Sequence, residues 1–146
     1  MTSEWGATKK HIPVLQEDVL SYLAVKPDGI YLDGTLGLGG HASAVQKQLS
    51  PKGQLVGFDG DEEAVRHCEK LLSPSCHLVQ APYDTFPQHL SSLSIQAVDG
   101  MLLDLGMSSY QLDTPARGFA YRTEGPLDMR FDENGPTTAR HIVNSW

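Results

Sequence analysis

Ile30-Tyr31-Leu32-Asp33-Gly34-Thr35-Leu36-Gly37-Leu38-Gly39-Gly40-His41-Ala42 is the stretch that decides the fold class. It opens as a short β-favouring run that ends in an acid, passes through closely spaced glycines, and continues as a helical pattern with Ala42, Val45 and Leu49 on one face. Strand, glycine turn, helix is the first part of a βαβ unit. Reading downstream, Pro51-Lys52-Gly53 is a turn and Gln54 to Asp59 a second strand. Asp61 is placed to cap a helix carrying Val65, Cys68 and Leu72 at i, i+3, i+7. His77 to Gln80 reads as a third strand, and the next helix turns Phe86, Leu90 and Leu93 inward. Val98 to Leu103 is nearly continuous in apolar residues, which predicts a fourth strand buried on both faces. Upstream, Pro27-Asp28-Gly29 is a turn, and Pro13 is expected to open a helix with Leu15, Val19 and Tyr22/Leu23 inward. This alternation predicts an α/β fold with a parallel sheet of order 3-2-1-4. Beyond Leu105 the periodicity is lost. Residues 106–137 read as one long functional loop, with a helix starting near Thr138 and still in mid-pattern at Trp146.

Composition narrows the class of protein. The chain has 146 residues, 40% apolar and 20% charged, the profile of a globular protein. Eleven basic residues stand against 18 acidic ones, giving a net charge of −7. Residues 114–146 hold four arginines and four acids, so the whole excess lies in residues 1–113. A small basic nucleic-acid-binding module is thereby excluded, though an enzyme acting on nucleic acid is not. No apolar run approaches the length of a membrane span, and the first residues carry neither a signal-peptide nor a transit-peptide pattern. Cys68 and Cys76 make no disulfide framework and fit no zinc spacing, and the histidines show no ligand spacing. A reducing, cytoplasmic setting without a metal site is the expectation.

Two constellations carry chemistry. In the first, glycines let a ligand approach the backbone at a helix N-terminus, and Asp59 ends the second strand where a carboxylate accepts hydrogen bonds from ribose hydroxyls. A nucleotide or nucleoside cofactor follows. Gly37-Leu38-Gly39-Gly40-His41-Ala42 matches the loose dinucleotide pattern, with Asp59 22 residues beyond Gly37. An acid at Asp33 would repel a pyrophosphate, however, and suits a ligand with an ammonium group such as S-adenosylmethionine. NAD and the methyl donor both stay open at this point, with Asp33 favouring the second. The other constellation begins at Asp104, delivered by the fourth strand to the carboxyl edge of the sheet. With order 3-2-1-4 the crevice lies between strands 1 and 4, so Asp33 and Asp104 are expected to face one pocket. Asp104 is then a candidate acceptor for the hydrogens of a target amine.

The motifs Gly34-Thr35-x-Gly37-x-Gly39-Gly40-His41, Asp59-x-Asp61, Asp104-Leu105-Gly106-x-Ser108-Ser109-x-Gln111-Leu112-Asp113, Arg117-Gly118-Phe119 and Gly125-Pro126-Leu127-Asp128-Met129-Arg130 together resemble one family. It is the ribosomal RNA small-subunit methyltransferase H family, and His11-Ile12-Pro13-Val14-Leu15 is similar to its opening motif. The resemblance implies a class I, Rossmann-like methyltransferase that uses S-adenosylmethionine to methylate cytosine N4 in small-subunit rRNA. It places cofactor contacts at Gly39, Gly40, His41, Asp59, Tyr83, Asp104 and Gln111. Tyr83 stands where the family commonly has Phe, a change that preserves a stacking face, and Tyr110 where it often has Pro.

The same resemblance divides the chain into a helical lead-in over 1–28, a cofactor-binding half-domain over 29–113, and a loop with the start of an inserted helical domain over 114–146. The family's sheet has seven strands, so the chain is expected to be its N-terminal part, with an exposed apolar edge at strand 4, and unstable or inactive alone. The rival readings are an NAD-dependent oxidoreductase and a catalytically silent binding fragment. Ser108 and Ser109 read as loop-shaping hydrogen bonders or base contacts. Arg117, Arg122 and Arg130 read equally as phosphate contacts or as internal salt-bridge partners of Glu124, Asp128 and Asp132.

Overall fold

The computed structural model describes residues 13–146. His11 and Ile12 of the opening motif lie outside the described residues. Four parallel strands, β1 (Ile30–Asp33), β2 (Gln54–Asp59), β3 (His77–Gln80) and β4 (Gly100–Leu102), form one sheet of order β3-β2-β1-β4. The predicted order is the observed one. Register brings Asp33 level with Gly57 on one side and Leu102 on the other, so the ends of β1, β2 and β4 share the carboxyl edge.

The sheet divides its side chains between two cores because successive residues of a strand point to opposite faces. On one face Tyr31 and Leu55 pack with Leu36, Ala42, Val45, Val65, Cys68 and Leu72. These come largely from α2 (Gly40–Gln46) and α3 (Glu62–Leu71). On the other, Leu32, Val56 and Phe58 pack with Leu90 of α4 (Phe86–Ser92) and with Ile95. Leu32, Val56 and Phe58 are each almost wholly inaccessible, and burying side chains of this size stabilises by about 1.5–3 kcal/mol apiece. Gly57 has no side chain for a reason of space, since a Cβ there would stand 2.5 Å from Leu36. Asp61 caps α3 as expected, its Oδ1 accepting from the Glu63 N–H at 3.0 Å.

Four expectations are corrected. The first helix, α1 (Gln16–Leu23), begins after Leu15 and not at Pro13, because Leu15 takes a left-handed backbone, φ 51°, that breaks the run. Leu20 and Leu23 pack on the core, whereas Leu15 and Tyr22 are exposed. Leu49 lies past the end of α2 and packs on its core from the following turn. Strand β4 is shorter than Val98–Leu103 and is not buried on both faces. Met101 and Leu103 are each 40% exposed, since β4 pairs only with β1 among the described residues and has no neighbour beyond it. Residues 106–137 are not one loop. They contain α5 (Ser109–Asp113) and a 3-10 turn (Pro115–Arg117) before α6 (Ala139–Ser145), which Thr138 caps where a helix start was expected. No helix among the described residues is long and apolar enough to cross a membrane.

Candidate functional site

A cavity of about 770 Å³ opens at the carboxyl edge of the sheet, within the range of small-molecule sites. Its floor is the glycine turn between β1 and α2, its sides are the ends of β2, β3 and β4, and its far wall is built from the segment around α5 and from Phe131 and Asp132.

The floor is set by two hydrogen bonds to one carboxylate. Asp59 Oδ2 accepts from the Gly37 N–H at 2.8 Å, and its Oδ1 accepts from the Asp61 N–H at 2.9 Å. One carboxylate thus braces the glycine turn against the β2–α3 junction. Each of its oxygens has a second lone pair, so two further donors can be accepted from the cavity. Burial raises the pKa of Asp59, and the two backbone N–H bonds oppose that rise. Gly37 takes φ +49°, and a Cβ there would meet no protein atom within 4 Å. The turn is therefore bare where a side chain would stand, and a ligand can lie against the backbone.

Gly40 and His41 line this floor, at the first turn of α2. Gly40 is forced to be glycine by Pro13, which a Cβ would approach to 2.3 Å. Gly39 does not line the cavity. It supplies the left-handed residue that starts α2, φ +72°, and faces Cys68 and Leu71. Cys68 behind it is an inert core thiol, its pKa pushed up to about 12 by burial. His41 is buried with Nε2 3.6 Å from Asp104 Oδ2. Asp104 follows β4 with its carboxylate half-exposed in the cavity, and its N–H donates to Thr35 Oγ1 at 2.7 Å, which fixes the backbone there. Tyr83 opens a 3-10 turn after β3 and presents a partly exposed ring to the same space.

Asp33 differs from expectation. It does not share the cavity surface with Asp104 but lies 3% exposed beneath it, because its Oδ1 turns back to accept from the Thr35 N–H at 3.0 Å. Its Oδ2 has no hydrogen-bond partner among the described residues. Burial raises its pKa to about 7, with Asp59 and Asp104 adding to the rise and the Thr35 N–H opposing it.

Gln111 lines the cavity yet is buried. Its Oε1 accepts from the Ser108 N–H at 3.0 Å, and its Nε2 donates to Asp61 Oδ2 at 2.9 Å. Ser108 Oγ in turn accepts from the Gln111 N–H, so Ser108 and Gln111 form a reciprocal capping box on α5. The Ser-x-x-Gln spacing at 108–111 was the signal that could have revealed this helix. Asp61, treated in the sequence only as a cap, proves to be the centre of a buried cluster, since Arg117 Nη1 also donates to its Oδ2 at 2.7 Å. Of the three arginines, Arg117 and Arg130 are internal partners. Arg130 binds Asp128 as one of the expected pairs, and Arg117 binds Asp61 and Glu133, which no spacing indicated. Arg122 is exposed.

The donor set has a clear chemical bias. Asp59, Asp104 and Asp132 line the cavity, and no lysine or arginine does among the described residues. Such a site disfavours a pyrophosphate and fits a cation with apolar parts and hydroxyl donors. No group of His, Cys, Asp and Glu among the described residues is arranged to hold a metal ion.

A parallel 3-2-1-4 sheet with this cavity at its switch point defines a Rossmann-like α/β fold. A crystal structure of a Clostridium thermocellum protein described as an rRNA methylase shares it, with a TM-score of 0.58 at 19% identity over 67% of this chain and 54% of that one. The chain belongs to the MraW methylase family, whose model matches residues 8–146. Ribosomal RNA small subunit methyltransferase H 2 of Agathobacter rectalis is 47% identical over 141 residues, 94% of this chain and 45% of that protein. The methyltransferase H of Halothermothrix orenii is 47% identical over 139 residues, with the same coverage. That of Nitratidesulfovibrio vulgaris is 46% identical over 144 residues, 97% of this chain and 44% of the relative. The chain thus spans less than half the length of these relatives. The family implies S-adenosylmethionine as cofactor, and the carboxylate-lined, glycine-floored cavity fits that molecule.

Proposed function

We propose that this chain binds S-adenosylmethionine in the cavity at the sheet edge, and that the protein transfers its methyl group to the N4 amine of a cytidine in small-subunit ribosomal RNA. One observation carries the reading: three carboxylates and no lysine or arginine line the cavity among the described residues. A cationic ligand is favoured by that charge and a dinucleotide is opposed by it, which counts against the NAD-dependent alternative. The names of the relatives, ribosomal RNA small subunit methyltransferase H, support the RNA substrate.

S-adenosylmethionine supplies, when bound, an electrophilic methyl group on a sulfonium. Asp59 is assigned to the ribose hydroxyls, because each oxygen keeps a lone pair after bracing Gly37 and Asp61. Tyr83 offers a ring face to the adenine, and Gly40 and His41 form the floor beneath the ligand. Gly39 contributes the turn, and Gln111 holds the far wall. Asp104 is the proposed acceptor for the target amine. That amine is a weak nucleophile, since its lone pair is delocalised into the ring. A half-exposed carboxylate on an anchored backbone can accept hydrogen bonds from the amine and stabilise the positive charge that develops on nitrogen. The base must be accessible, which implies a loop or an extruded nucleotide in RNA.

The test is methylation of undermodified small-subunit rRNA, read by mass spectrometry of the digested nucleosides. N4-methylcytidine is the expected product, and Asp104→Asn should slow its appearance by about 10²-fold or more. Methyl transfer to another nucleoside, or an Asp104→Asn protein with unaltered rate and affinity, would contradict the assignment.

A further inference from the structure

Arg117 is 5% exposed, and four of the five N–H groups of its guanidinium have partners. Nη1 donates to Asp61 Oδ2 at 2.7 Å, and Nη2 donates to the carbonyls of Arg130 and Phe131, both at 3.0 Å. Nε lies 2.9 Å from Glu133 Oε1. The group is thus unavailable to RNA phosphate. Its partners belong to two parts of the chain far apart in sequence, the β2–α3 junction and the segment 130–133. Both meet at the cavity: Asp59, two residues before Asp61, braces the floor, and Phe131 and Asp132 line the wall.

Packing follows the same line. The Arg117 guanidinium carbon lies 5.9 Å from the centroid of the Phe119 ring, and Phe119 and Phe131 have ring centroids 5.3 Å apart. Phe131 in turn stands against Gly60, where a Cβ would come within 3.4 Å of its own. A planar fork that bonds two consecutive carbonyls and a carboxylate fixes both the distance and the orientation of the strands of chain it joins. An ammonium in its place has one point of charge and no fork.

We propose that Arg117 is a positioning residue for the ligand cavity: it fixes the Phe131-Asp132 wall against the turn that carries Asp59, and ligand affinity depends on that fixation. The proposal rests on the reading of the cavity as the cofactor site. Arg117 touches no ligand-facing surface itself and acts through the residues it binds.

The test combines a readout free of ligand with one that requires it. Fluorine-labelled phenylalanine gives four resonances, from Phe58, Phe86, Phe119 and Phe131, in the 146-residue chain. Arg117→Lys should move the Phe119 and Phe131 resonances and leave Phe86, on the opposite core, in place. Calorimetric titration with S-adenosylhomocysteine should show about tenfold weaker binding, the size of one or two misplaced hydrogen bonds. Circular dichroism establishes that the variant is folded at the assay temperature. Should Arg117→Lys not fold, Glu133→Gln removes only the exposed carboxylate from Nε, and smaller changes in the same two resonances and in affinity are expected. Unmoved Phe131 resonances, or unaltered affinity in a folded variant, overturn the proposal. Absence of binding by the wild-type chain counts against the cofactor reading instead, and the fluorine spectra then decide whether Arg117 holds the wall.

Discussion

Asp33→Asn should change how stability depends on pH. Asp33 is buried, with one oxygen bonded only to the Thr35 N–H and the other without a partner among the described residues. Its carboxyl prefers the neutral form up to about pH 7, against an ordinary value of 3.8. Between those two values the unfolded chain has released the proton and the folded chain has kept it, so stability falls as pH rises. At about 1.4 kcal/mol per pH unit the interval amounts to about 4 kcal/mol, present in full below pH 3.8 and lost once pH passes about 7. An asparagine keeps the shape and an acceptor for the Thr35 N–H but has no proton to lose. Urea denaturation of both proteins, followed by circular dichroism from pH 5 to pH 8, measures the difference. The stability of Asp33→Asn relative to wild type should climb by about 1 kcal/mol per pH unit up to pH 7 and then level off. A difference that stays flat across that range would refute the buried, neutral carboxyl. The same physics bears on ligand binding, because a cation in the cavity draws Asp33 toward its charged form, and binding above pH 7 then releases fewer protons than binding at pH 6.

Further predictions follow from packing and charge. Asp61→Ala removes the cap of α3 and leaves the Arg117 guanidinium short of its buried partner, a loss of about 3–5 kcal/mol in thermal or urea unfolding. Phe58→Ala opens a cavity under the sheet and should destabilise by about 3–5 kcal/mol in the same assay. Two glycine substitutions separate fold from site. Gly118→Ala places a Cβ 2.1 Å from the Pro126 carbonyl oxygen at φ +74° and should break the packing of the Pro115–Arg117 turn on Pro126, whereas Gly37→Ala meets open space at φ +49°. The latter should cost only about 1–2 kcal/mol of stability while weakening cofactor binding in a titration, since its methyl group enters the cavity floor.

The sheet was readable because its signals are local. The strands β1, β2 and β3 end where Asp33, Asp59 and Gln80 meet the turns, and Asp61 caps α3 as its type and place require. The apolar run at 98–103 misled because periodicity reports what a strand could bury, not what lies beside it. Strand β4 has neighbours on one side only among the described residues, and Met101 and Leu103 stay half-open. The segment after Leu105 was opaque for another reason. Its order comes from one buried guanidinium and a capping box, and Arg117 finds Asp61 56 residues away, a separation that no pattern within the segment encodes. At the site, the glycine turn, Asp59 and Asp104 meet at one cavity as the motifs required. Asp33 was expected beside them, and a single turn to the Thr35 N–H put it underneath.

The central claim is that the carboxylate-lined cavity takes S-adenosylmethionine. Calorimetric titration of the folded chain with S-adenosylmethionine and, separately, with NADH tests it most directly. Saturable one-to-one binding of S-adenosylmethionine, weakened about tenfold or more by Asp59→Ala, with no binding of NADH, is the predicted result. Saturable NADH binding, or a folded chain that takes up no S-adenosylmethionine, would contradict it.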